Sequence, residues 1–232
     1  LIYRGEFPEG MAADAGIAAL GGALAYPLKY GYSTVGQVEA LGAGVAPGWL
    51  GRLVFAFQPH ESHFTAPVDG LLPIPAGIAP EDALFLPNTE TAVNFLLDGA
   101  PLIGEQVAVF GQGVVGLLTT ALLARLPLAS LITFDRFANR RAASLAMGAR
   151  ASLDPAEAGE PSRLRALLGG DAFDGADLVY ELSGAPAALD QAIAAAGFSG
   201  RIVVGSWYGR KRADLDLGGR FHRARIRLIS SQ

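Results

Sequence analysis

Three glycines at the spacing Gly-x-Gly-x-x-Gly form the most specific chemical feature of the sequence. They are Gly111, Gly113 and Gly116, and they directly follow the apolar run Gln106–Phe110. Between a strand and a helix, the first glycine permits a tight turn and the second lets the backbone approach a pyrophosphate. The third allows the helix to pack closely on the strand. The free N–H groups of that helix would receive the phosphates, so the spacing predicts a nucleotide-binding loop.

An acidic residue stands where such a loop requires one. Asp135 lies 24 residues beyond Gly111, at the end of the next apolar run, and can accept hydrogen bonds from an adenosine ribose. A carboxylate would repel a 2′-phosphate, so we predict NAD rather than NADP. Arg136 and Arg140 keep NADP open as an alternative, while Arg141 is interpreted as part of a solvated helix start.

Two other interpretations of this motif remain open. Glycine-rich turns occur in unrelated α/β proteins, and methyltransferases also use a glycine loop followed by an acid after their second strand. The β-rich N-terminal part of the chain argues against a methyltransferase, because that enzyme class needs no such partner domain.

Composition excludes several classes of protein. The chain has 232 residues, of which 51% are apolar and 17% charged, and intrinsic disorder requires the opposite balance. With a net charge of −4 and 18 basic residues it lacks the electrostatic footprint of a nucleic-acid-binding protein. The longest apolar region, residues 114–134, contains Arg125 and Pro127, so we expect no membrane span. No signal peptide is visible in LIYRGEFPEG, and we expect a cytoplasmic protein.

Strands and helices alternate after residue 78, which predicts a doubly wound parallel sheet covered on both faces. A helix begins at Pro80 and a second covers Glu90–Leu97. The later predicted strands are Gln106–Phe110, Leu131–Asp135, Asp177–Glu181 and Arg201–Gly205. The later predicted helices are Val114–Arg125, Asn139–Met147, Arg163–Leu168 and Ala185–Ala195.

The first third has short β-type runs separated by glycine and proline, which predicts a small barrel or sandwich. The runs are Tyr32–Ala40, Gly51–Phe57, His63–Pro67 and Leu71–Pro75; Gly16–Leu28 fits either a loop or a short helix. We therefore divide the chain into residues 1–87 and 88–232. Near the C-terminus, RFHRARIRLIS predicts a strand with Arg223, Arg225 and Arg227 on a solvated face, an anion site being the alternative.

The order of these segments carries a family resemblance. A β-rich part precedes a helix containing Thr91-Ala92, and then come VAVFGQGVVG, FDRFANRRAASLAMGA, GADLVYELSGAP and GRIVVGSWYG. The chain resembles the medium-chain dehydrogenase/reductase superfamily, the alcohol-dehydrogenase-like proteins. The resemblance implies a GroES-like β-rich catalytic domain, partial in residues 1–87, and a Rossmann domain in residues 88–232 whose C-terminal part is missing. It also implies an active site in the cleft between them, further strands before Leu1, and chain after Gln232 that closes the sheet.

The activity implied is hydride transfer between a nicotinamide and a small alcohol or carbonyl substrate, in a homodimer. The alternative is a nicotinamide-nucleotide-binding or redox-sensing protein without catalysis. The candidate cofactor site comprises Gly111, Gly113, Val114, Val115, Gly116, Asp135, Arg136, Arg140, Ser183 and Gly205.

Zinc is not expected, and no residue is assigned as a metal ligand. Zinc-dependent members of the superfamily carry Gly-His-Glu where this chain has Gly31-Tyr32-Ser33, and their third ligand falls near Pro87-Asn88. The sequence contains no cysteine, and Tyr, Ser and Pro are not zinc ligands of such sites.

Without a metal, a hydroxyl or an imidazole must exchange the proton and polarise the substrate oxygen. The catalytic candidates are Tyr32, His60 and Thr91. Tyr32 stands at the position of the absent ligand, although packing on the barrel would also explain an aromatic residue there. His60 and His63 would otherwise be surface loop histidines, and Thr91 is expected to support the nicotinamide end of the cofactor.

Overall fold

The computed structural model describes residues 29–156 and 175–232. The chain separates into two compact units, Leu1–Pro87 and Asn88–Gln232, called here the N-terminal and the C-terminal unit. The helix predicted at Arg163–Leu168 and the stretch Gly16–Leu28 lie outside the described residues.

The N-terminal unit contains a three-stranded antiparallel sheet of order β1-β2-β3, formed by Thr34–Gln37, Leu53–Ala56 and Leu71–Pro73. The middle strand β2 buries Val54, Phe55 and Ala56. The strand predicted at His63–Pro67 is wrong, because these residues form a loop. Pro67 has no N–H to offer a strand ladder, and a 3₁₀ turn at Val68–Gly70 follows it directly.

Two helices connect this sheet to the rest of the chain. Helix α1, Pro80–Ala83, has proline in its first turn together with Glu81 and Asp82, which confirms the predicted start. Helix α2, Leu86–Gly99, extends beyond both ends of the predicted Glu90–Leu97.

The C-terminal unit is built on a six-stranded parallel sheet. Its strands in chain order are β4 (Gln106–Phe110), β5 (Ser130–Phe134), β6 (Ala151–Leu153), β7 (Ala176–Glu181), β8 (Ala196–Val204) and β9 (Arg227–Ser230). They are arranged β6-β5-β4-β7-β8-β9, with every adjacent pair parallel. The strand order is therefore third, second, first, fourth, fifth, sixth, which confirms the predicted Rossmann sheet.

Helices cover both faces of this sheet. They are α3 (Val114–Leu123), α4 (Ala138–Ala146) and α5 (Pro186–Ala195), in addition to α2. Alternate residues of β4 face opposite sides: Val107 and Val109 pack in a cluster with Phe95 of α2 and Leu123 of α3. Ala108 and Phe110 belong to the other cluster, which contains most of the buried residues of α5. This two-sided burial explains why β4 is continuously apolar from Val107 to Phe110 rather than alternating.

The C-terminal segment differs from the sequence-based expectation. Arg227–Ser230 is the sixth strand and pairs in parallel with β8. The predicted strand through Arg223 and Arg225 is wrong, because Arg223 lies in a helical turn and Arg225 has φ +56°. The burial pattern nevertheless alternates, with Ala224 and Ile226 buried between exposed arginines.

Strand β6 is an addition to the predicted elements, and β8 begins five residues before the predicted Arg201. In the described part of the chain the longest helix is α2, with 14 residues, and no helix there is long and apolar enough to cross a bilayer.

Candidate functional site

The glycine-rich loop connects β4 to α3, and its three glycines are required for different reasons. Gly111 has φ +92°, and a Cβ atom on it would lie 2.6 Å from the backbone of Ser183. A Cβ on Gly116 would lie 2.0 Å from the carbonyl oxygen of Gly111. A Cβ on Gly113 would meet no protein atom within 4 Å. The fold thus requires the outer two glycines, whereas Gly113 borders open space.

The open space lies at the positive end of a helix. Gly113 is the N-cap residue of α3 and supplies no side-chain cap. The N–H groups at the start of a helix have no acceptor within it, and the helix dipole favours an anion there. Val114, the first residue of α3, is 49% exposed. The start of α3 can therefore accept a phosphate group.

The buried side chain of Gln112 links this loop to α3, a role that the glycine motif does not reveal. Its side chain is fully buried, and its Nε2 donates to the carbonyl oxygen of Gly111 over 3.0 Å. Its Oε1 accepts a hydrogen bond of 3.0 Å from the hydroxyl of Thr120 on α3. The sequence signal that could have indicated this role is a polar side chain between two glycines of the motif.

Asp135 follows β5 and is buried, with a relative exposure of 7%. Its Oδ2 accepts from the backbone N–H of Gln112 and its Oδ1 from that of Phe137, each over 2.8 Å. Arg140 Nη1 lies 3.6 Å from Oδ2. The carboxylate is thus fixed beside the loop, with acceptor capacity left for a ligand hydroxyl because each oxygen has two lone pairs.

The arginines after Asp135 differ in their environments. Arg136 and Arg140 are exposed and lie over the ring of Phe137, at 5.4 and 4.9 Å from its centroid. Arg141 donates to the carbonyl oxygens of Asp135 and Arg136 and pairs with a carboxylate oxygen of Asp154 at 3.2 Å. Arg141 therefore holds the end of β5 in place, while Arg136 and Arg140 lie on the exposed surface, with Arg140 also facing the Asp135 carboxylate.

The carboxyl ends of β7 and β8 contribute a second polar group. Glu181, the last residue of β7, is fully buried, and its Oε1 accepts from both the backbone N–H and the hydroxyl of Ser183. The hydroxyl of Tyr208 donates to Oε2. Gly205 is shaped by packing, because a Cβ there would lie 2.3 Å from the ring of Phe95. Of these residues, the sequence predicted only Ser183 and Gly205 for the site.

The topology brings these features together. The strand order reverses between β4 and β7, and ligands of such sheets bind outside the carboxyl ends of the strands at this point. The loop after β4 and the Ser183 backbone after β7 are in direct contact there, as the Gly111 geometry shows. Asp135 adjoins the same loop on its other side.

Another group of candidates lies in the N-terminal unit. The backbone N–H of His60 donates to the carbonyl oxygen of Tyr30 over 2.8 Å, and the two rings meet edge to face at 6.0 Å. The imidazole also covers Gly31, where a Cβ would lie 2.2 Å from it. Tyr32 follows and is 41% exposed. His60 and the segment containing Tyr32 are therefore neighbours, whereas Thr91 lies half-buried on α2 in the C-terminal unit.

A protein-family model described as zinc-binding dehydrogenase matches residues 114–231, which is half of the chain. The chain belongs to the zinc-binding dehydrogenase family. The predicted membership of the medium-chain dehydrogenase/reductase superfamily is thereby confirmed, and the methyltransferase interpretation is excluded.

Relatives of this chain include L-threonine 3-dehydrogenase of Bacillus licheniformis, which is 33% identical over 130 residues. That match covers 56% of this chain and 36% of the relative, so the chain spans about a third of that enzyme's length. Among solved structures, galactitol-1-phosphate dehydrogenase from Escherichia coli has a TM-score of 0.73 at 19% identity, covering 91% of this chain and 69% of that one. An alcohol dehydrogenase from E. coli CFT073, complexed with NADH, has a TM-score of 0.69 at 18% identity, with 85% and 66% covered. These structural matches show a shared fold.

The residues that the family resemblance aligns with zinc ligands do not have the chemistry of a zinc centre. Tyr32 and Pro87 offer no zinc-binding group of the usual kind, and the hydroxyl of Ser33 donates to the carbonyl oxygen of Leu84 over 2.6 Å. His63 lies 3.4 Å from a carboxylate oxygen of Glu39 on an exposed surface. Within residues 29–156 and 175–232 no group of three or more His, Asp or Glu side chains could hold a metal ion.

Proposed function

We propose that this chain is part of an NAD(P)-dependent oxidoreductase that transfers a hydride between a nicotinamide and a small alcohol or carbonyl substrate without zinc. The observation that carries the proposal is the open space at Gly113, at the start of α3, flanked by the fixed carboxylate of Asp135. Membership of a dehydrogenase family supports the same activity.

In this proposal the chain's own residues bind and orient the cofactor. The N–H groups of Gly113, Val114 and Val115 bind the pyrophosphate, and Gly111 and Gly116 give the loop the shape that exposes them. Asp135 accepts hydrogen bonds from the adenosine ribose. The nicotinamide supplies or takes the hydride when it is bound.

NAD is the proposed cofactor, because the buried Asp135 carboxylate would face a 2′-phosphate with like charge. NADP is the alternative, because Arg136 and Arg140 flank the same position and are exposed. The guanidinium groups of both arginines lie over the Phe137 ring, which already restricts their side chains. Directing them to a phosphate would therefore cost little further conformational entropy. Ser183 and Gly205 are proposed for the other half of the cofactor.

For proton exchange we propose Tyr32 and His60, as a phenol and an imidazole that can polarise a substrate oxygen. The contact of His60 with the Tyr30–Gly31 backbone supports a common role, because it fixes the imidazole beside the segment that carries Tyr32. Thr91 is proposed to support the nicotinamide end. We also propose that the N-terminal unit is part of a GroES-like catalytic domain. The whole protein is proposed to act in the cytoplasm as a homodimer on a small molecule, with no nucleic-acid or membrane partner.

The test is a titration of the protein with NADH, followed by nicotinamide fluorescence and by calorimetry. Saturable binding with one site per chain is expected, and the absence of binding would remove the proposal. Turnover with a panel of secondary alcohols and ketones, monitored at the nicotinamide absorbance, then separates an oxidoreductase from a redox sensor. A protein that binds NADH tightly but turns over none of the panel would favour the sensor.

A further inference from the structure

We propose that Glu181 is a positioning residue that, through Ser183 and Tyr208, shapes the two loops receiving the nicotinamide half of the cofactor. This inference rests on the proposed function, since it assigns a role within the same cofactor site. Glu181 itself lies below the surface, where it does not reach a ligand.

The Glu181 carboxylate is buried, and both of its oxygens accept hydrogen bonds. The residue has no exposed surface, and a buried carboxylate is tolerated only when its oxygens are well hydrogen-bonded. Oε1 accepts hydrogen bonds from the backbone N–H of Ser183 over 2.8 Å and from the Ser183 hydroxyl over 2.5 Å. Oε2 accepts a hydrogen bond from the hydroxyl of Tyr208. These donors come from the loop after β7 and the loop after β8, so one carboxylate organises both.

Further hydrogen bonds tie the two loops to each other. The backbone N–H of Gly184 donates to the hydroxyl of Ser206 over 2.8 Å, and that hydroxyl donates to the carbonyl oxygen of Glu181 over 3.2 Å. Lys211 Nζ donates to the carbonyl oxygen of Gly184 over 2.8 Å. A loop pair held at this many points can keep one conformation while a ligand binds and leaves.

The position of these loops identifies the half of the cofactor concerned. Asp135 adjoins the glycine loop on the β5 side, and it is the side proposed for the adenosine ribose. A dinucleotide whose pyrophosphate lies at the start of α3 must extend its other half in the opposite direction, over β7 and β8. The exposed Ser183, in contact with Gly111, stands where that half would begin.

The Tyr208 hydroxyl is suited to donate a hydrogen bond to Glu181 at all times. Burial, followed by its hydrogen bond to Glu181 and the nearby carboxylate charge, raises the pKa of the Tyr208 hydroxyl above its ordinary value. The hydroxyl therefore keeps its proton and its hydrogen bond to Glu181 throughout the neutral pH range.

The experiment compares two ligands with three variants. Dissociation constants for NADH and for ADP, which lacks the nicotinamide riboside, are measured by calorimetry for the parent, Tyr208→Phe, Ser183→Ala and Glu181→Gln. We expect Tyr208→Phe and Glu181→Gln to weaken NADH binding by about tenfold, the effect of losing one hydrogen bond to a charged group. ADP binding should change by less than about twofold in the same variants, because the adenosine side keeps its own contacts.

Glu105→Gln is the matched control, because it neutralises a different, partly buried carboxylate at the opposite, amino-terminal end of the sheet. It should lower thermal stability while leaving both affinities unchanged. Should Glu181→Gln fail to fold, Tyr208→Phe and Ser183→Ala decide the matter, since both retain the carboxylate. If the variants weakened NADH binding and ADP binding equally, the inference would be overturned while the proposed function stayed intact. The same would hold if Tyr208→Phe and Ser183→Ala both left the NADH affinity unchanged. A parent protein that binds NADH in no measurable amount would overturn the proposed function and this inference with it.

Discussion

The backbone N–H of Gln112 donates a hydrogen bond of 2.8 Å to the carboxylate of Asp135. The acid at the end of β5 is therefore part of the glycine loop as well as a candidate acceptor for a ribose. A change at Asp135 is expected to act on the phosphate-binding backbone and on the ribose position together, so the two effects must be separated by ligand choice.

Gly113→Val is expected to abolish NADH binding while leaving the fold intact. A Cβ at Gly113 meets no protein atom within 4 Å, so the added side chain occupies only the space proposed for the pyrophosphate. The dissociation constant should rise by more than about a hundredfold, which corresponds to roughly 3 kcal/mol. Calorimetry measures the affinity, and a melting curve checks the fold.

Gly116→Ala supplies the contrast, because its Cβ would lie 2.0 Å from the carbonyl oxygen of Gly111. It should lower the melting temperature markedly, as overpacking against backbone costs about 1–3 kcal/mol or more. Unchanged NADH affinity in Gly113→Val would show that the pyrophosphate does not bind at this loop.

Asp135→Asn is expected to reduce the preference for NAD over NADP. The amide lacks the charge that repels a 2′-phosphate, and one of its two terminal atoms is a donor that cannot accept from Gln112 or Phe137. We expect affinity for NAD to fall by about tenfold and affinity for NADP to change less. The measurement is calorimetry with NAD and NADP side by side.

The control for this change is Asp177→Asn. Asp177 also accepts a backbone N–H, that of Gln106 over 2.8 Å, at the other end of the same sheet. It should leave the cofactor preference unchanged. A parent protein that binds NADP more tightly than NAD would mean that Arg136 and Arg140 outweigh the carboxylate.

The Rossmann part was predictable because its signals are local. Gly111, Gly113 and Gly116 follow an apolar strand, and Asp135 ends the next one, so the sequence places them at one edge of a parallel sheet. The apolar runs of β4, β5 and β7 were recognisable for the same reason, since strands buried on both faces carry few polar residues.

The remaining features depend on distant contacts. Glu181 ends an apolar strand and gains its role from Tyr208, 27 residues further along the chain. His63–Pro67 has the composition of a strand, but a strand also needs a partner for its N–H groups, which composition does not reveal. Arg223 and Ala224 alternate in burial as a strand would, although a helical turn and a positive φ at Arg225 produce the pattern.

The purified protein is expected to contain no stoichiometric zinc, even though it belongs to a family named for zinc binding. Tyr32 and Pro87 stand where the family resemblance aligns zinc ligands, and the Ser33 hydroxyl donates to the Leu84 carbonyl oxygen. Elemental analysis after dialysis should give well under one zinc per chain, and a chelator should leave turnover unchanged. About one zinc per chain, lost together with activity, would instead place a metal centre near His60, and His60→Gln would then lose zinc while Tyr32→Phe kept it.

The pH dependence of stability should show a contribution from Glu105. Its carboxylate accepts two hydrogen bonds of 2.8 Å from Arg201 and another of 2.8 Å from the backbone N–H of Leu102. Burial by itself raises the pKa of Glu105, but the hydrogen bonds from Arg201 and Leu102 and the charge of Arg201 outweigh it, so the pKa lies below its ordinary 4.5. Because the folded-state pKa is the lower one, the unfolded chain binds the proton more readily. The ion pair therefore stabilises the fold fully above about pH 5 and loses this effect as pH falls through the folded-state pKa.

Glu105→Gln should accordingly lower the free energy of unfolding by about 1–3 kcal/mol at pH 7, since it leaves the half-buried Arg201 without its carboxylate. The difference between parent and variant should shrink as pH falls from the ordinary carboxyl pKa through the lower folded-state pKa of Glu105, because the parent then loses the charge as well. Denaturant unfolding at pH 7, 5 and 3.5 measures it, with Glu81→Gln on the exposed first turn of α1 as the control. A difference that stays constant over this range would show that packing, rather than the charge of Glu105, supplies the stability.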